Sequence, residues 1–259
     1  MREAEWRAGT LRPASNILQS HGAALPNPFM PYLPLSGPLT PTALDALLDA
    51  GWYRTGQGVF TTNWLILDDG AIISQVLWAR VDLPQWKPTR RHTRLLAQNR
   101  RFSYTTSDAV ITPEVEALFA SYFAHIDFET GPTVSAILQG EALHNFFPTR
   151  MWMVRDGDRL IAAGYLDEGE QTAAGILNFY DPAYRGYSLG LWLYLEGIRW
   201  AAERGKRYYY PGYIALDYPK FDYKLLAGTE AFEVLDAERG DWIPYHESIH
   251  AAQFCQSPE

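Results

Sequence analysis

The sequence predicts an α+β fold, in which an N-terminal α+β domain precedes a C-terminal unit of helices and strands. Apolar residues recur at helical spacing near residues 113–123 and 190–203, which predicts two amphipathic helices. Between them, residues 151–179 contain three strand-like runs separated by acidic or glycine-containing turns, a pattern typical of an antiparallel meander. These observations divide the chain into domains at residues 1–107 and 108–259.

Composition and charge exclude several classes of protein. The 259 residues are 47% hydrophobic and 20% charged, which is ordinary globular composition. A net charge of −8 counts against a general nucleic-acid binder. The single cysteine, Cys255, excludes an internal disulfide and a cysteine-built metal or iron–sulfur site within one chain. We expect neither a metal nor a cofactor. No apolar run can span a bilayer and the N-terminus lacks a signal-peptide core, so a cytoplasmic protein is expected.

The N-terminal elements are predicted in chain order. Residues 1–28 lack a clear period and are expected to form an arm. Thr40 is the predicted N-cap of a helix that continues to Ala50 and ends at Gly51. Strands are predicted next at residues 52–54, 59–61 and 64–67 and, after a turn at Asp68-Asp69-Gly70, at residues 71–81.

A cationic stretch without acidic residues follows at residues 87–101. Such a run can bind phosphates, or it can be a solvated helix face or strand edge, and both readings stay open. Neither His92 nor His144 has the partner pattern of a metal ligand, so both are expected to be structural. The candidate phosphate-binding residues are Lys87, Arg90, Arg91 and Arg94.

The C-terminal elements begin with a helix opened by Thr112 and a second one at roughly Val134–Phe146. The long helix of residues 190–203 follows the meander. The last predicted strand contains Phe232 and Val234.

The stretch from Tyr208 to Lys224 is the most aromatic part of the chain. Three tyrosines predict a strand, which Pro211-Gly212 is expected to break. Beyond that dipeptide, aromatic residues alternate with charged ones, as in the wall of a ligand site. An edge strand and a tyrosine-rich turn that complete a core explain the pattern equally well.

The order of elements resembles the Gcn5-related N-acetyltransferase (GNAT) fold, which implies a mixed sheet with flanking helices. In that fold a loop with the pattern Arg/Gln-x-x-Gly-x-Gly/Ala presents backbone amides to a pyrophosphate. Here the corresponding residues are Arg185–Gly190, with Ser188 at the first glycine position. An acyl-CoA-dependent N-acetyltransferase is therefore one alternative, which Ser188 disfavours.

A set of motifs resembles the aminoacyl-tRNA–protein transferases, which include the eukaryotic arginyl transferases and the bacterial leucyl transferases. The resemblance covers about residues 30–235. In order, the motifs are Tyr32-Leu33-Pro34, Gly51-Trp52-Tyr53-Arg54-Thr55-Gly56, Asn178-Phe179-Tyr180-Asp181-Pro182, Ser188-Leu189-Gly190, Tyr210-Pro211-Gly212-Tyr213-Ile214 and Lys220-Phe221-Asp222-Tyr223-Lys224.

This resemblance implies transfer of arginine or leucine from aminoacyl-tRNA to the N-terminal amine of an acceptor protein or peptide, as in N-degron tagging. Its expected catalytic residues are Asp181, Asp222 and Tyr180, although Asp181 before Pro182 is also a turn signature. The stretch at Lys87–Arg94 is then expected to bind RNA. The expected substrate-binding residues are Arg185, Ser188, Gly190, Tyr210, Gly212, Tyr213, Lys220, Tyr223 and Lys224.

The chain departs from the family at its cysteines. Met30, Gly70, Ile73 and Val76 stand at the positions where family members usually carry cysteine, and none of them can ligate a metal. Independence from metal and redox state is therefore expected. A repurposed descendant that binds a peptide or protein partner without transfer is a second alternative, and the sequence leaves the oligomeric state open.

Overall fold

The computed structural model describes residues 30–67, 72–128, 130–139, 145–216 and 218–246. The predicted arm and the turn at residues 68–70 lie outside these ranges, as do His144 and Cys255. The helices are α1 Pro41–Asp49, α2 Arg90–Asn99, α3 Pro113–Phe123, α4 Val134–Leu138 and α5 Leu189–Glu203. The strands are β1 Tyr32–Pro34, β2 Tyr53–Thr55, β3 Gly58–Phe60, β4 Trp64–Leu67, β5 Ile72–Asp82, β6 Ser103–Asp108, β7 Thr149–Asp156, β8 Arg159–Glu168, β9 Thr172–Tyr180, β10 Tyr208–Ala215, β11 Phe232–Asp236 and β12 Asp241–Pro244.

Most of the strands form one large mixed sheet. Its order is β12-β11-β5-β10-β9-β8-β7-β6, with β4 paired to the start of β5, whereas β1, β3 and β2 form a small separate sheet. Because β5 lies between β11 and β10, the large sheet takes strands from both sides of the division between residues 107 and 108. The two-domain division itself stays a prediction.

The meander and the long helix confirm the predicted α+β fold with an acetyltransferase-like sheet. Strands β7, β8 and β9 are antiparallel neighbours, and α5 crosses over from β9 to β10, which run parallel. The crossover helix is buried over most of its surface and packs into the main core through residues such as Leu193 and Ile198. No helix among the described residues is long and apolar enough to cross a membrane.

The predicted helix boundaries follow from capping, and one of them is wrong. The hydroxyl of Thr40 accepts from the Ala43 amide at the start of α1, and Gly51 ends that helix with φ +75°. In contrast, α4 ends at Leu138, so the helix does not reach Phe146 as predicted. One physical reason is that Asn145 is not helical and instead bonds other segments through its side chain.

Pro211-Gly212 does not break the strand, which corrects a second prediction. Strand β10 continues to Ala215, and its pairing with β5 shifts in register between Tyr209 and Gly212. Gly212 adopts φ +89°, so the dipeptide forms a bulge inside the strand. Three 3-10 segments, Pro182–Tyr187, Pro219–Ala227 and Thr229–Ala231, were not predicted.

Candidate active site between β9 and β10

The site lies where two parallel strands separate. Strands β9 and β10 pair only through Thr172–Ala174 and Tyr208–Tyr210. Beyond these residues, Gly175–Asn178 of β9 and Pro211–Tyr213 of β10 line opposite sides of an open cavity of about 850 Å³. Tyr53 of β2 closes the narrow end, where its hydroxyl donates to the Gly175 carbonyl and lies 3.3 Å from the Tyr210 carbonyl. The gap therefore offers strand edges to an extended ligand.

Twelve of the residues that line the cavity are tyrosines or phenylalanines. Tyr122 of α3 packs 5.6 Å from Tyr180, and Tyr213 packs 5.3 Å from Phe221. Burial raises the pKa of Tyr122 to about 12 and also raises the pKa of Tyr213. Both hydroxyls therefore keep their protons at neutral pH and can donate hydrogen bonds to a ligand.

The start of α5 borders the cavity through Gly190. A Cβ atom at this position would lie 3.4 Å from the ring of Tyr180, which is ordinary van der Waals contact, so the ring packs directly against the start of the helix. Ser188 directly before the helix has φ +52°, a left-handed conformation that favours glycine. This explains physically why the loop pattern of the acetyltransferase fold has glycine where this chain has serine.

Lys224 is a buried lysine in the cavity wall, 7% exposed. Its Nζ donates to the Tyr213 carbonyl over 2.5 Å and lies 4.7 Å from the ring centre of Phe221. No carboxylate of the described residues lies within ion-pairing distance of it. Burial without a counter-charge lowers the pKa of Lys224 to about 7.

Lys220 lies at the mouth of the same cavity in a different environment. Its Nζ bonds to Asp127 Oδ1 over 2.7 Å and lies 4.7 Å from the ring centre of Phe128. The hydrogen bond to Asp127 raises the pKa of Lys220 and lowers that of Asp127. Because the Asp127 side chain is 90% exposed, the pair stabilises the fold little and can exchange partners.

The structure brings together seven of the residues that the sequence singled out. They share the cavity wall although they come from β9, α5, β10 and the segment Pro219–Ala227. These residues are Tyr180, Gly190, Gly212, Tyr213, Lys220, Tyr223 and Lys224.

Neither predicted carboxylate is among the residues that line the cavity. Asp181 accepts from the Ala183 amide over 2.9 Å and forms an ion pair with Arg159, which is the turn role that its sequence context allowed. Asp222 has one buried oxygen, Oδ1, without a hydrogen-bond partner in the described part of the chain. Their catalytic roles stay predictions.

The other predicted substrate-binding residues lie beside the cavity. Arg185 and Ser188 are exposed in the loop before α5. The side chain of Tyr210 packs 5.5 Å from Trp242, on the opposite face of β10 from Tyr209, and does not line the cavity. Sequence reasoning missed Tyr209 of the same strand, which lines the cavity. Sequence reasoning also missed Tyr53, Tyr122, Tyr194 and Tyr218, which four separate segments supply.

The cationic stretch forms helix α2, which touches both sides of the site. Gln98 Nε2 donates to the Gly186 carbonyl, and Asn99 Nδ2 donates to the Tyr187 carbonyl in the loop before α5. His92 Nδ1 accepts from the Thr89 amide, and His92 Nε2 lies 2.5 Å from the Leu226 carbonyl, to which it donates. His92 is therefore structural, as predicted. The exposed residues around it are Lys87, Arg90, Arg91 and Arg94.

The structure describes the side chains at two of the four positions where the family resemblance implies cysteine. Met30 is exposed and Val76 is buried, whereas Gly70 and the side chain of Ile73 lie outside the described residues. In the described ranges, no group of three or more histidine, cysteine, aspartate or glutamate residues could hold a metal ion. Metal independence stays a prediction.

Residues 114–230 match the family described as "Arginine-tRNA-protein transferase, C terminus". Three proteins named aspartate/glutamate leucyltransferase are similar to the chain. That of Leptospira interrogans serovar copenhageni is 26% identical over 199 residues, or 74% of this chain and 75% of its own. Those of Shewanella oneidensis and Dinoroseobacter shibae are 26% identical, over 73% and 82% of this chain and 77% and 76% of their own lengths.

A solved tandem GNAT protein from the clavulanic acid biosynthesis pathway has a TM-score of 0.39 and 15% identity, covering 77% of this chain and 58% of its own. At that score the likeness adds nothing to the topology described above. The family match is different, because residues 114–230 include β9, α5, β10 and the segment with Lys220 and Lys224. Over this region the chain is therefore similar to the arginine-tRNA–protein transferases, and over about three quarters of its length it is similar to proteins named aspartate/glutamate leucyltransferase.

Proposed function

We propose that this protein transfers leucine or arginine from aminoacyl-tRNA to the N-terminal amine of an acceptor protein. One observation carries the proposal: the part of the chain that matches the transferase family builds an open, aromatic cavity with lysines in its wall. Such a cavity suits two substrates that meet at one reacting atom. A concave apolar site with a few convergent polar groups is what ligand binding requires.

The acceptor enters as an extended chain. Pro211 has no N–H group and Gly212 lies in a bulge, so β10 leaves backbone positions along the gap that a peptide can approach. An acidic first residue of the acceptor takes the place of Asp127 as the partner of Lys220. This agrees with relatives that are named aspartate/glutamate leucyltransferases.

The tRNA lies across α2. The exposed basic side of this helix binds phosphates. Because α2 is bonded to the loop before α5 and to the segment Pro219–Ala227, phosphates bound there lie next to the cavity. The 3′ end of the tRNA then places the ester inside it.

Transfer uses the reactivity that the ester already has. The acceptor amine attacks the ester carbonyl, and no covalent enzyme intermediate is needed. Positioning two substrates supplies about 7–11 kcal/mol in well-oriented reactions. The hydroxyls of Tyr180 and Tyr213 are donors for the developing oxyanion.

The test offers Leu-, Arg- and Phe-tRNA together with peptides that begin with Asp, Glu, Arg or Lys, and weighs the products. We expect an added leucine or arginine on peptides that begin with Asp or Glu. Tight tRNA or peptide binding without any product would identify the repurposed binder instead. Acetylation of the same peptides by acetyl-CoA, with no aminoacyl transfer, would identify the acetyltransferase alternative.

A further inference from the structure

Lys224 has an environment that a cation rarely has in a folded protein. Its Nζ is surrounded by aromatic rings, with centres 5.2 Å away for Tyr213 and 5.9 Å for Tyr223. Its one hydrogen-bond partner in the described structure is the Tyr213 carbonyl. Burial of an ammonium group without an anion is costly, so such a group tends to lose its proton.

The other groups around Lys224 do not supply the missing charge. Tyr213 comes from β10, Tyr223 from the same 3-10 segment, Tyr194 from α5 and Tyr53 from β2, beside Gly212. Burial raises the pKa of all four phenols, so each is uncharged at neutral pH. The amine of Lys224, with a pKa of about 7, is therefore half deprotonated near neutrality and faces a cavity.

We propose that Lys224 is the proton acceptor for the acceptor amine during aminoacyl transfer. The inference rests on the proposed function and assigns the base within the same site. A neutral amine in the wall can take a proton, whereas Asp181 is held by Arg159 and the Ala183 amide. The bond from Nζ to the Tyr213 carbonyl orients the nitrogen beside the edge of β10, where the acceptor lies.

The step balances within the two substrates and Lys224. The amine nitrogen forms a bond to the ester carbonyl carbon and passes one proton to Nζ. The bond between that carbon and the ribose oxygen then breaks. Nζ returns the proton to the ribose oxygen, which leaves as a hydroxyl, and Lys224 is again a neutral amine.

The first test measures the protonation of Lys224 directly. The chain has four lysines, Lys87, Lys206, Lys220 and Lys224, so 13Cε-lysine NMR gives a countable spectrum. The signal missing in Lys224→Met identifies Lys224. We expect it to titrate near pH 7, about three units below the ordinary value of a lysine side chain. A titration of Lys224 near pH 10 would overturn the proposal.

The second test separates a base from a cation that binds an anionic group. Lys224→Met and Lys224→Arg are assayed in transfer from Leu- or Arg-tRNA to a peptide that begins with Asp. Arginine keeps the positive charge but cannot accept a proton. We expect kcat to fall about 10²-fold or more in both variants with KM little changed, and the acid limb of the kcat–pH profile near pH 7 to disappear.

The control and the contrary outcomes are distinct. Lys206→Met removes a lysine that bonds to the Gly169 carbonyl outside the cavity, and should keep its rate. Restored kcat in Lys224→Arg would make Lys224 an anion-binding cation and overturn the proposal. An undiminished kcat in both Lys224 variants, or a loss of kcat seen only in Asp222→Asn, would also reject the role of Lys224 as the base. In either case, transfer by the wild type would still support the proposed function. No transfer by the wild type with any tRNA would reject the function and this role together.

Discussion

Two lysines four positions apart show how far a side chain's chemistry depends on its surroundings. Lys220 keeps an anionic partner at the cavity mouth, and its pKa is raised by the hydrogen bond to Asp127. Lys224 is buried among rings, and its pKa is lowered by loss of solvation. The first is suited to hold a negative side chain and the second to exchange a proton.

The lowered pKa makes Lys224 a source of instability that depends on pH. In the unfolded chain Lys224 keeps its proton up to about pH 10.5, whereas in the fold it loses it near pH 7. Between these values the unfolded state binds more protons, so stability rises with pH. At about 1.4 kcal/mol for each pKa unit, the penalty below pH 7 is on the order of 3–5 kcal/mol.

Lys224→Met should therefore stabilise the fold, most strongly near and below pH 7, with a gain that shrinks as the pH approaches 10. Urea unfolding at a series of pH values measures the difference in the free energy of unfolding between this variant and the wild type. Lys220→Met is the matched control, since Lys220 has a raised pKa and its loss gives no such gain. A destabilised Lys224→Met across the whole range would contradict the assigned burial penalty.

At the scale of elements, the buried and the exposed sides of helix α2 have different roles. Its buried side anchors the helix through His92, Leu95 and Asn99. Its exposed side carries the basic residues, which no buried contact constrains. The anchoring side bonds to the loop before α5 and to the segment of Lys224, so the helix holds its charges beside the cavity.

Replacing Lys87, Arg90, Arg91 and Arg94 with alanine should weaken tRNA binding and flatten its dependence on salt. Each lost phosphate contact lowers the slope of log K against log salt by about 0.7–0.9. The fold should be unaffected, because these side chains are exposed. Filter binding over a range of salt concentrations measures the slope.

Arg239→Ala removes an exposed arginine of the β11–β12 hairpin and should leave the slope unchanged. An unchanged slope in the fourfold variant would place the tRNA elsewhere on the surface.

The sequence predicted elements whose signals are local. The caps at Thr40 and Thr112 and the turns of the meander set the bounds of their elements directly. The loop at Ser188, which resembles a glycine-containing loop pattern, indicated where α5 begins. The sequence did not predict which side chains would contact one another. Whether Asp181 meets Arg159 or a substrate depends on strands far apart in the chain, and the burial of Lys224 depends on α5 and β10 together.

For the whole molecule, the site depends on contacts between the two halves of the chain. Arg54 of β2 lines the cavity and bonds to Asp167 of β8 over 2.8 Å. The same guanidinium bonds to Thr149 and to the carbonyl of Leu138. Burial raises the pKa of Asp167 while Arg54 opposes that rise, so the pair is tightly interdependent.

Arg54→Met should destabilise the protein by about 3–5 kcal/mol, because it leaves the buried Asp167 without its cation. Asp167→Asn in the same chain should recover part of the loss. Arg150→Met breaks a half-exposed pair on β7 and should cost less than about 1 kcal/mol. Urea unfolding compares the three, and equal losses in Arg54→Met and Arg150→Met would refute the special role of the buried pair.

The position of β5 between β11 and β10 has a consequence for folding during synthesis. A ribosome releases the chain from its N-terminus, so β5 emerges long before either of these neighbours exists. Until β10 and β11 have been synthesised, the backbone groups along the edges of β5 from Val76 to Asp82 lack these pairing partners. A chain that is truncated before β10 therefore lacks the cavity and keeps a strand with unpaired edges. We expect such truncated chains to be inactive and prone to aggregate.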